Sequence, residues 1–174
     1  MTVHRAAPLP TGPAAGRLIV AHQVVGPTLA ALRATYEGLR NEALVLWAGR
    51  TIDGTSVVTS IILPRTDHGP GHVLADEAAV NDAVRLARRA QLGVIAQVHS
   101  HPGSDTRHSD GDDRLVLMPF DGMFSLVVAR YGQGGLTRGE GAGLHQFQHG
   151  RWVYITDDAL VVAPPVLALP EEAS

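Results

Sequence analysis

The stretch from Val98 to Asp113, Val-His-Ser-His-Pro-Gly-Ser-Asp-Thr-Arg-His-Ser-Asp-Gly-Asp-Asp, concentrates the residue types that bind metal ions. His99 and His101 stand two apart at the end of a β-rich run that begins at Gly93. Side chains alternate along a strand, so both imidazoles face one side and can share an ion. Pro102 cannot donate to a ladder, so the chain is expected to leave the sheet there. The loop that follows returns carboxylates at Asp110, Asp112 and Asp113. Two histidines, one carboxylate and an open fourth position describe a catalytic zinc site rather than a closed structural one. The spacing does not choose between Asp112 and Asp113. Ser109-x-x-Asp112 also fits a capping box variant at a helix start, with Ser109 as N-cap.

Composition narrows the chemistry further. The 174 residues suffice for one ordinary domain, and 45% hydrophobic against 18% charged residues allows a packed core. There is no cysteine, which excludes disulfide scaffolds, thiolate zinc sites, iron–sulfur clusters and thiol catalysis. All 14 basic residues are arginine, against 17 acidic ones, for a net charge of −3. Without a basic excess or stripe, nucleic-acid binding is not expected. The apolar runs are too short to span a bilayer and the N-terminus lacks an apolar signal region, so a cytoplasmic protein with no membrane partner is expected.

The elements that must position these residues can be read from periodicity. Residues 1–16, rich in Pro and Ala, are expected as a flexible leader, and order is expected to begin with a strand at Arg17–Ala21. Gly26-Pro27 signals a helix start, with Leu29, Leu32, Tyr36 and Leu39 facing inward. Glu42–Trp47 reads as a strand ending at Gly49, and Thr55–Leu63 as its hairpin partner across Asp53-Gly54. Arg65–Ala75, with His68 and His72, is expected as a loop. Asp76 caps a second helix to about Gln91, with Val80, Val84 and Ala87 as its buried stripe. Met123–Arg130 reads as a strand, and His145–His149 with Trp152–Thr156 as a final hairpin. Residues 158–174 are expected as an extended Pro-rich tail. The order predicts an α/β fold, a mixed β-sheet sandwiched by helices.

His99-Ser100-His101-Pro102, then six residues, then Ser109-x-x-Asp112, resembles the JAMM motif of the JAB/MPN zinc metalloproteases. The family also needs a glutamate on an early strand after the first helix, and Glu42 stands in that place. The resemblance covers roughly residues 17–157 and implies a JAB/MPN domain, whose fold shares features with the cytidine deaminases. It implies one zinc ion per chain held by His99, His101 and Asp112, with water as the fourth ligand. It implies that Glu42 is the general base and later the proton donor to the leaving amine, and that Ser109 steadies the oxyanion. These roles agree with the chemistry of zinc, which brings the pKa of bound water to about 7.

The substrate implied is a ubiquitin-like protein, cut after its C-terminal glycine from a conjugate or a precursor. The lysine-free, Ala-, Arg-, Gly- and Val-rich composition looks bacterial. Bacterial relatives of this kind accompany activating and conjugating enzymes, including those of antiphage systems, while others trim sulfur-carrier proteins. A non-catalytic MPN scaffold is the competing class, and it has no need of all five motif residues. His68, His72, His108, His145 and His149 are expected to stand outside the metal site, with His108 as the nearest candidate for orienting substrate or water. Trp47 and Trp152 are expected to pack in the core.

Overall fold

The computed structural model describes residues 5–114 and 119–165. In chain order the elements are β1 (Thr11–Gly12), β2 (Arg17–Ala21), α1 (His22–Leu39), β3 (Leu44–Ile52), β4 (Thr55–Ile62), β5 (Asp67–Gly69), β6 (His72–Leu74), α2 (Glu77–Arg89) and β7 (Gly93–Ser100). A 3-10 turn at Asp112–Arg114, β8 (Phe124–Val128), β9 (Ala142–Gln148), β10 (Arg151–Ile155) and β11 (Leu160–Ala163) follow. Among the described residues one mixed sheet runs β1-β10-β9-β8-β7-β3-β4-β2-β11, and β5-β6 is a separate hairpin. Helices cover both faces, as the expected α/β sandwich requires.

β3 lies near the middle of the sheet and shows why its sequence is an unbroken apolar run. Val45 and Trp47 point into the core beneath α1, with Leu18, Val20, Val24, Leu32 and Val98. Leu44, Leu46 and Ala48 point into the core beneath α2, with Ile62, Val73, Ala79, Ala83 and Ala87. A strand buried on both faces has no polar side to alternate with. Trp47 is fully buried, and its indole N–H donates to Thr28 Oγ1 at 2.9 Å, so the polar atom it carries inward is satisfied.

Several expected boundaries move. α1 begins at His22 rather than at Pro27, and Pro27 lies inside it. Gly26 lacks the Cβ that would clash with the Pro27 ring, so the helix passes through with one ladder bond lost. Leu39 is exposed rather than inward; among the described side chains of α1 the buried positions are Val24, Thr28 and Leu32, and the expected Tyr36 lies outside them. On α2 the stripe is Ala79, Ala83 and Ala87, one position ahead of the valines expected there. Small side chains at i, i+4 and i+8 let the helix sit close to the sheet. Arg65–Ala75 holds the β5-β6 hairpin instead of an irregular loop. The leader contributes β1, which pairs parallel with β10, and the tail contributes β11, which pairs parallel with β2. The Asp53-Gly54 turn and the hairpin around Gly150 stand as expected.

One glycine permits the loop after β7 to lie on the sheet. A Cβ on Gly143, in β9, would fall 2.4 Å from the carbonyl oxygen of Thr106. Gly143→Ala should therefore lift the loop or bend β9, costing about 1–3 kcal/mol by the measure of other overpacked sites. Thermal unfolding should show a Tm fall of several degrees. Gly139→Ala, where no atom lies within 4 Å of the added Cβ, should leave Tm unchanged. Equal melting of the two variants would show that the loop does not need that close approach.

Candidate metal centre

Sheet register carries the histidines to their place. Leu44 in β3 pairs with His99 in β7, so His99 shares the face that α2 partly covers. At β8 and β9 that face is covered instead by the loop from Pro102 onward. His101 follows β7 directly; its N–H donates to Val128 O at 2.9 Å, and its carbonyl accepts from Tyr131 N at 2.7 Å. Arg130 N donates to Gly103 O at 2.9 Å. Arg130, Tyr131 and Gly132 hold φ of 55°, 56° and 81°, a left-handed run in which the Arg130 and Tyr131 N–H groups turn toward this loop. Left-handed backbone at two non-glycine residues costs on the order of 1–2 kcal/mol each, so surrounding bonds must hold it.

His99, His101 and Asp112 each offer a ligand atom, and these atoms lie within 4.8 Å of one another. His99 Nε2 is 3.2 Å from His101 Nε2, His101 Nε2 is 3.1 Å from Asp112 Oδ2, and His99 Nε2 is 3.4 Å from Asp112 Oδ1. Ligands held about 2.0–2.1 Å from a tetrahedral zinc lie about 3.3 Å apart, so the separations suit such an ion. His101 Nδ1 donates to Asp105 O at 2.8 Å, which leaves the Nε2 lone pair facing the cluster. The donor set therefore fits a divalent metal, with nitrogen and oxygen ligands already converged.

Asp112, not Asp113, is the carboxylate of this cluster. Ser109 N donates to Asp112 Oδ2 at 2.5 Å, and Asp112 N donates to Ser109 Oγ at 3.1 Å. The capping box and the metal ligand, alternatives in the sequence, are one arrangement: the reciprocal bonds orient the carboxylate that faces the imidazoles. Burial would raise the Asp112 pKa, but the neighbouring charge and hydrogen bonds of His99 and His101 outweigh it and hold the carboxyl far below the usual range. Burial lowers His99, whereas His101 ends above its ordinary value because Asp112 and Asp105 outweigh its desolvation. Of the helix expected after Ser109, the described residues include the single turn at Asp112–Arg114; its continuation at 115–118 lies outside them.

Glu42 sits two residues ahead of β3 and is buried. Its N–H donates to Gly69 O of the β5-β6 hairpin at 2.9 Å. Next to it, Ala43 N donates to Ser100 Oγ at 3.0 Å, and Ser100 N donates to Ala43 O at 3.1 Å. Burial pushes the Glu42 carboxyl up to about 7, with His101 pulling it down and Asp112 pushing it up. Ser100, lying between the two histidines in sequence, is the residue that locks Glu42 to the end of β7. Sequence reasoning did not single it out.

A second group was also missed. Gln97, Ser125 and His145 are opposite one another on β7, β8 and β9, so they form a polar row across one face. His108 lies over this row, fully buried, its ring stacked on His145 with centroids 3.9 Å apart. Burial holds both imidazoles well below their ordinary pKa, so both are neutral. His108 Nδ1 is 3.1 Å from Asp113 Oδ1 and Nε2 is 2.8 Å from Ser125 Oγ. Asp113 accepts the Nδ1 proton, Ser125 donates to Nε2, and Ser125 Oγ accepts from Gln97 Nε2 at 3.0 Å. His108 is thus a structural bridge beneath the centre. His149 falls in the turn after β9 with φ of 52°, away from His145's buried face. His68 and His72 belong to β5 and β6 and are absent from the metal-competent cluster.

His99, His101 and Asp112 thus form a buried cluster at the end of a central strand that could hold a metal ion, with the Glu42 carboxyl within electrostatic reach. Residues 28–138 match the family of prokaryotic homologues of the JAB domain, and the chain belongs to that family. It is 32% identical over 96 residues to the "probable metalloprotease y4jG" of Sinorhizobium fredii (strain NBRC 101917 / NGR234). That match takes in 52% of this chain and 58% of the relative, so the chain spans a little over half of that protein's length. The fold is also similar to the solution structure of protein DSY2949 from Desulfitobacterium hafniense, with a TM-score of 0.63 and 20% identity. That likeness covers 84% of this chain and 92% of the other. No helix among the described residues is long and apolar enough to cross a membrane.

The centre predicts metal-linked stability. Zinc at about 100 times its dissociation constant should stabilise the fold by about 2.7 kcal/mol, raising Tm by several degrees. A chelator should reverse the shift, and Asp112→Asn should abolish it, while Asp113→Asn, which leaves all three ligands in place, should reduce it without abolishing it. Absence of any zinc-dependent shift in the wild-type chain would remove these residues as a metal site.

Proposed function

We propose that this chain is a zinc-dependent peptidase or isopeptidase that cuts after the C-terminal glycine of a ubiquitin-like protein. The observation that carries the reading is Glu42, a buried carboxyl with its pKa near neutrality, within electrostatic reach of His101 and Asp112. A scaffold gains nothing from an uncompensated buried carboxyl, whereas amide hydrolysis needs a group that can both take and give a proton near pH 7. His99, His101 and Asp112 would hold the ion. Zinc in such a set supplies Lewis acidity, enough to bring the pKa of water near neutrality.

The chain's own residues supply the rest. As the water oxygen bonds to the scissile carbonyl carbon, Glu42 takes its proton; as the C–N bond breaks, Glu42 returns that proton to the departing nitrogen. Ser109 Oγ accepts from Asp112 N in the resting site, so its own proton remains available for the oxygen anion forming on the substrate. In this reading the β5-β6 hairpin, bonded to Glu42 through Gly69 O, serves as one wall of the approach. Tyr131 holds that wall to the opposite side, its hydroxyl donating to Pro70 O at 3.0 Å. An extended tail that ends in glycine has no side chain to seat between the hairpin and Tyr131. Such a tail would be gripped through its main chain as an added strand. Partners of this reading are the ubiquitin-like substrate and the activating and conjugating enzymes that attach it, as in antiphage conjugation. Trimming of a sulfur-carrier protein uses the same bond chemistry and differs only in the protein presented.

Fusions of ubiquitin-like and sulfur-carrier proteins, joined through the terminal glycine to a lysine side chain or a linear peptide, test the reading by product mass. Zinc-loaded wild type should cut after the glycine, and Glu42→Gln should lose about 10²–10⁴-fold in kcat while binding zinc. A folded, zinc-loaded chain that cuts none of the fusions would overturn the proposal. In the same assay Tyr131→Phe should raise KM about fivefold with kcat little changed, as expected for one lost hydrogen bond of about 1 kcal/mol. Equal KM for Tyr131→Phe and wild type would take the hairpin out of substrate binding.

A further inference from the structure

The turn that carries Ser109 and Asp112 is gripped from outside by the segment ahead of β1. Arg5 Nη1 donates to the carbonyl oxygens of His108 and Ser109 at 3.2 and 3.4 Å, and Nη2 donates to Asp113 Oδ2 at 2.9 Å. Arg5 Nε donates to Ala7 O at 3.1 Å, which fixes the plane of the guanidinium itself. Ala6 N adds a bond to Asp110 Oδ2 at 2.8 Å. Four consecutive or nearly consecutive residues of one short turn, His108, Ser109, Asp110 and Asp113, are therefore held by two residues about a hundred positions earlier in the chain. The Arg5 and Asp113 side chains are 18% and 28% exposed, so water and salt screen this pair less than an ordinary surface pair.

Asp113 passes the grip inward. Its second oxygen faces His108 Nδ1, and His108 is bonded on its far side to Ser125 of β8. Asp112 and Asp113 are neighbours in one 3-10 turn and point opposite ways, one at the histidine pair and the other at Arg5 and His108. Fixing Asp113 therefore fixes the direction of Asp112.

We propose that Arg5 is a positioning residue of the metal centre, clamping the Ser109–Asp113 turn so that Asp112 faces His99 and His101. The proposal rests on the metal-site reading above. Arginine suits the role because its planar fork reaches two carbonyls and a carboxylate at once, which a lysine ammonium on a flexible stem does not reproduce. Without the guanidinium, the two carbonyls lose this donor and the Asp113 carboxylate keeps His108 but loses Arg5, so the turn can reorient toward water.

Full-length wild type, Arg5→Ala and Arg5→Lys are compared by zinc competition with a chelating dye and by amide hydrogen exchange of the metal-free chains. Arg5→Ala should bind zinc about tenfold more weakly, the effect typical of groups that orient metal ligands. Exchange should quicken at Ser109–Asp113 and stay unchanged in β3, β7 and β8. Arg5→Lys should fall between the two. Zinc affinity of Arg5→Ala within twofold of wild type overturns the proposal, as does exchange that quickens evenly across the whole sheet, which marks a general stabiliser. If wild type itself binds no zinc, the metal reading fails, and the exchange at Ser109–Asp113 alone then decides whether Arg5 clamps the turn.

Discussion

Two buried imidazole nitrogens 3.2 Å apart, with a carboxylate against both, are an arrangement that a folded chain must be forced to hold. Taking an ionised carboxylate out of water costs several kcal/mol unless charge and hydrogen bonds replace the solvent. Here the replacements are specific. Asp112 accepts from the Ser109 backbone and faces both histidines, and His101 is fixed on its other side by Asp105 O. The rest of the architecture supplies what these few contacts need, which is a rigid strand beneath, a loop pressed on top and a second carboxyl at the side.

The strand is rigid because it is central. β7 lies between β3 and β8, so His99 is anchored by ladders on both sides before its side chain does anything. The helix that packs this face, α2, covers Leu44, Leu46 and Ala48 through an alanine stripe, and the loop takes over across β8 and β9. That loop can lie flat because Gly143 leaves room for Thr106 and because His108 fills the space over Ser125 and His145. The polar row Gln97, Ser125, His145 would be a defect in an apolar core. Bonded to His108, it becomes a platform that sets the height of the turn bearing Asp112.

Much of this was legible in the sequence, and what was not has a physical reason. His99 and His101 were readable because strand alternation is a strict period of two. Asp112 was readable as one of two carboxylates, but the choice between it and Asp113 depends on what lies on each side of the turn, which spacing does not contain. The stacking of His108 on His145 is not legible because it joins the loop after β7 to β9, 37 positions on, whereas spacing pairs His145 with His149 and sets His108 beside Ser109. On α2 the expected Ala87 is buried, but hydrophobicity points to Val80 and Val84 where close packing to the sheet selects the smaller Ala79 and Ala83. The hairpin of residues 67–74 was hidden by Gly69-Pro70-Gly71, whose composition signals a turn but says nothing about three-residue strands on either side. The leader carries few apolar residues to announce β1, and the apolar run Leu160–Ala163 that forms β11 is only four residues long and is followed at once by Pro164-Pro165.

The centre separates two carboxyls of similar intrinsic acidity by environment alone. Asp112 is surrounded by donors and stays ionised through any ordinary pH, which is what a ligand requires. Glu42 is buried with little to compensate it, and its pKa rises to about 7. The difference follows from what each backbone does. Asp112 belongs to a turn in which the Ser109 N–H donates to its carboxylate, while the N–H of Glu42 is spent on Gly69 and that of Ala43 on Ser100. Those two bonds fix where Glu42 stands without stabilising its charge. A divalent cation held by the histidines and Asp112 would add to the downward pull of His101, so the carboxyl is poised where either a proton or a nearby positive charge changes its state. Two titratable groups driven apart in this way meet what the proposed reaction asks of them, one to bind the ion and one to exchange a proton.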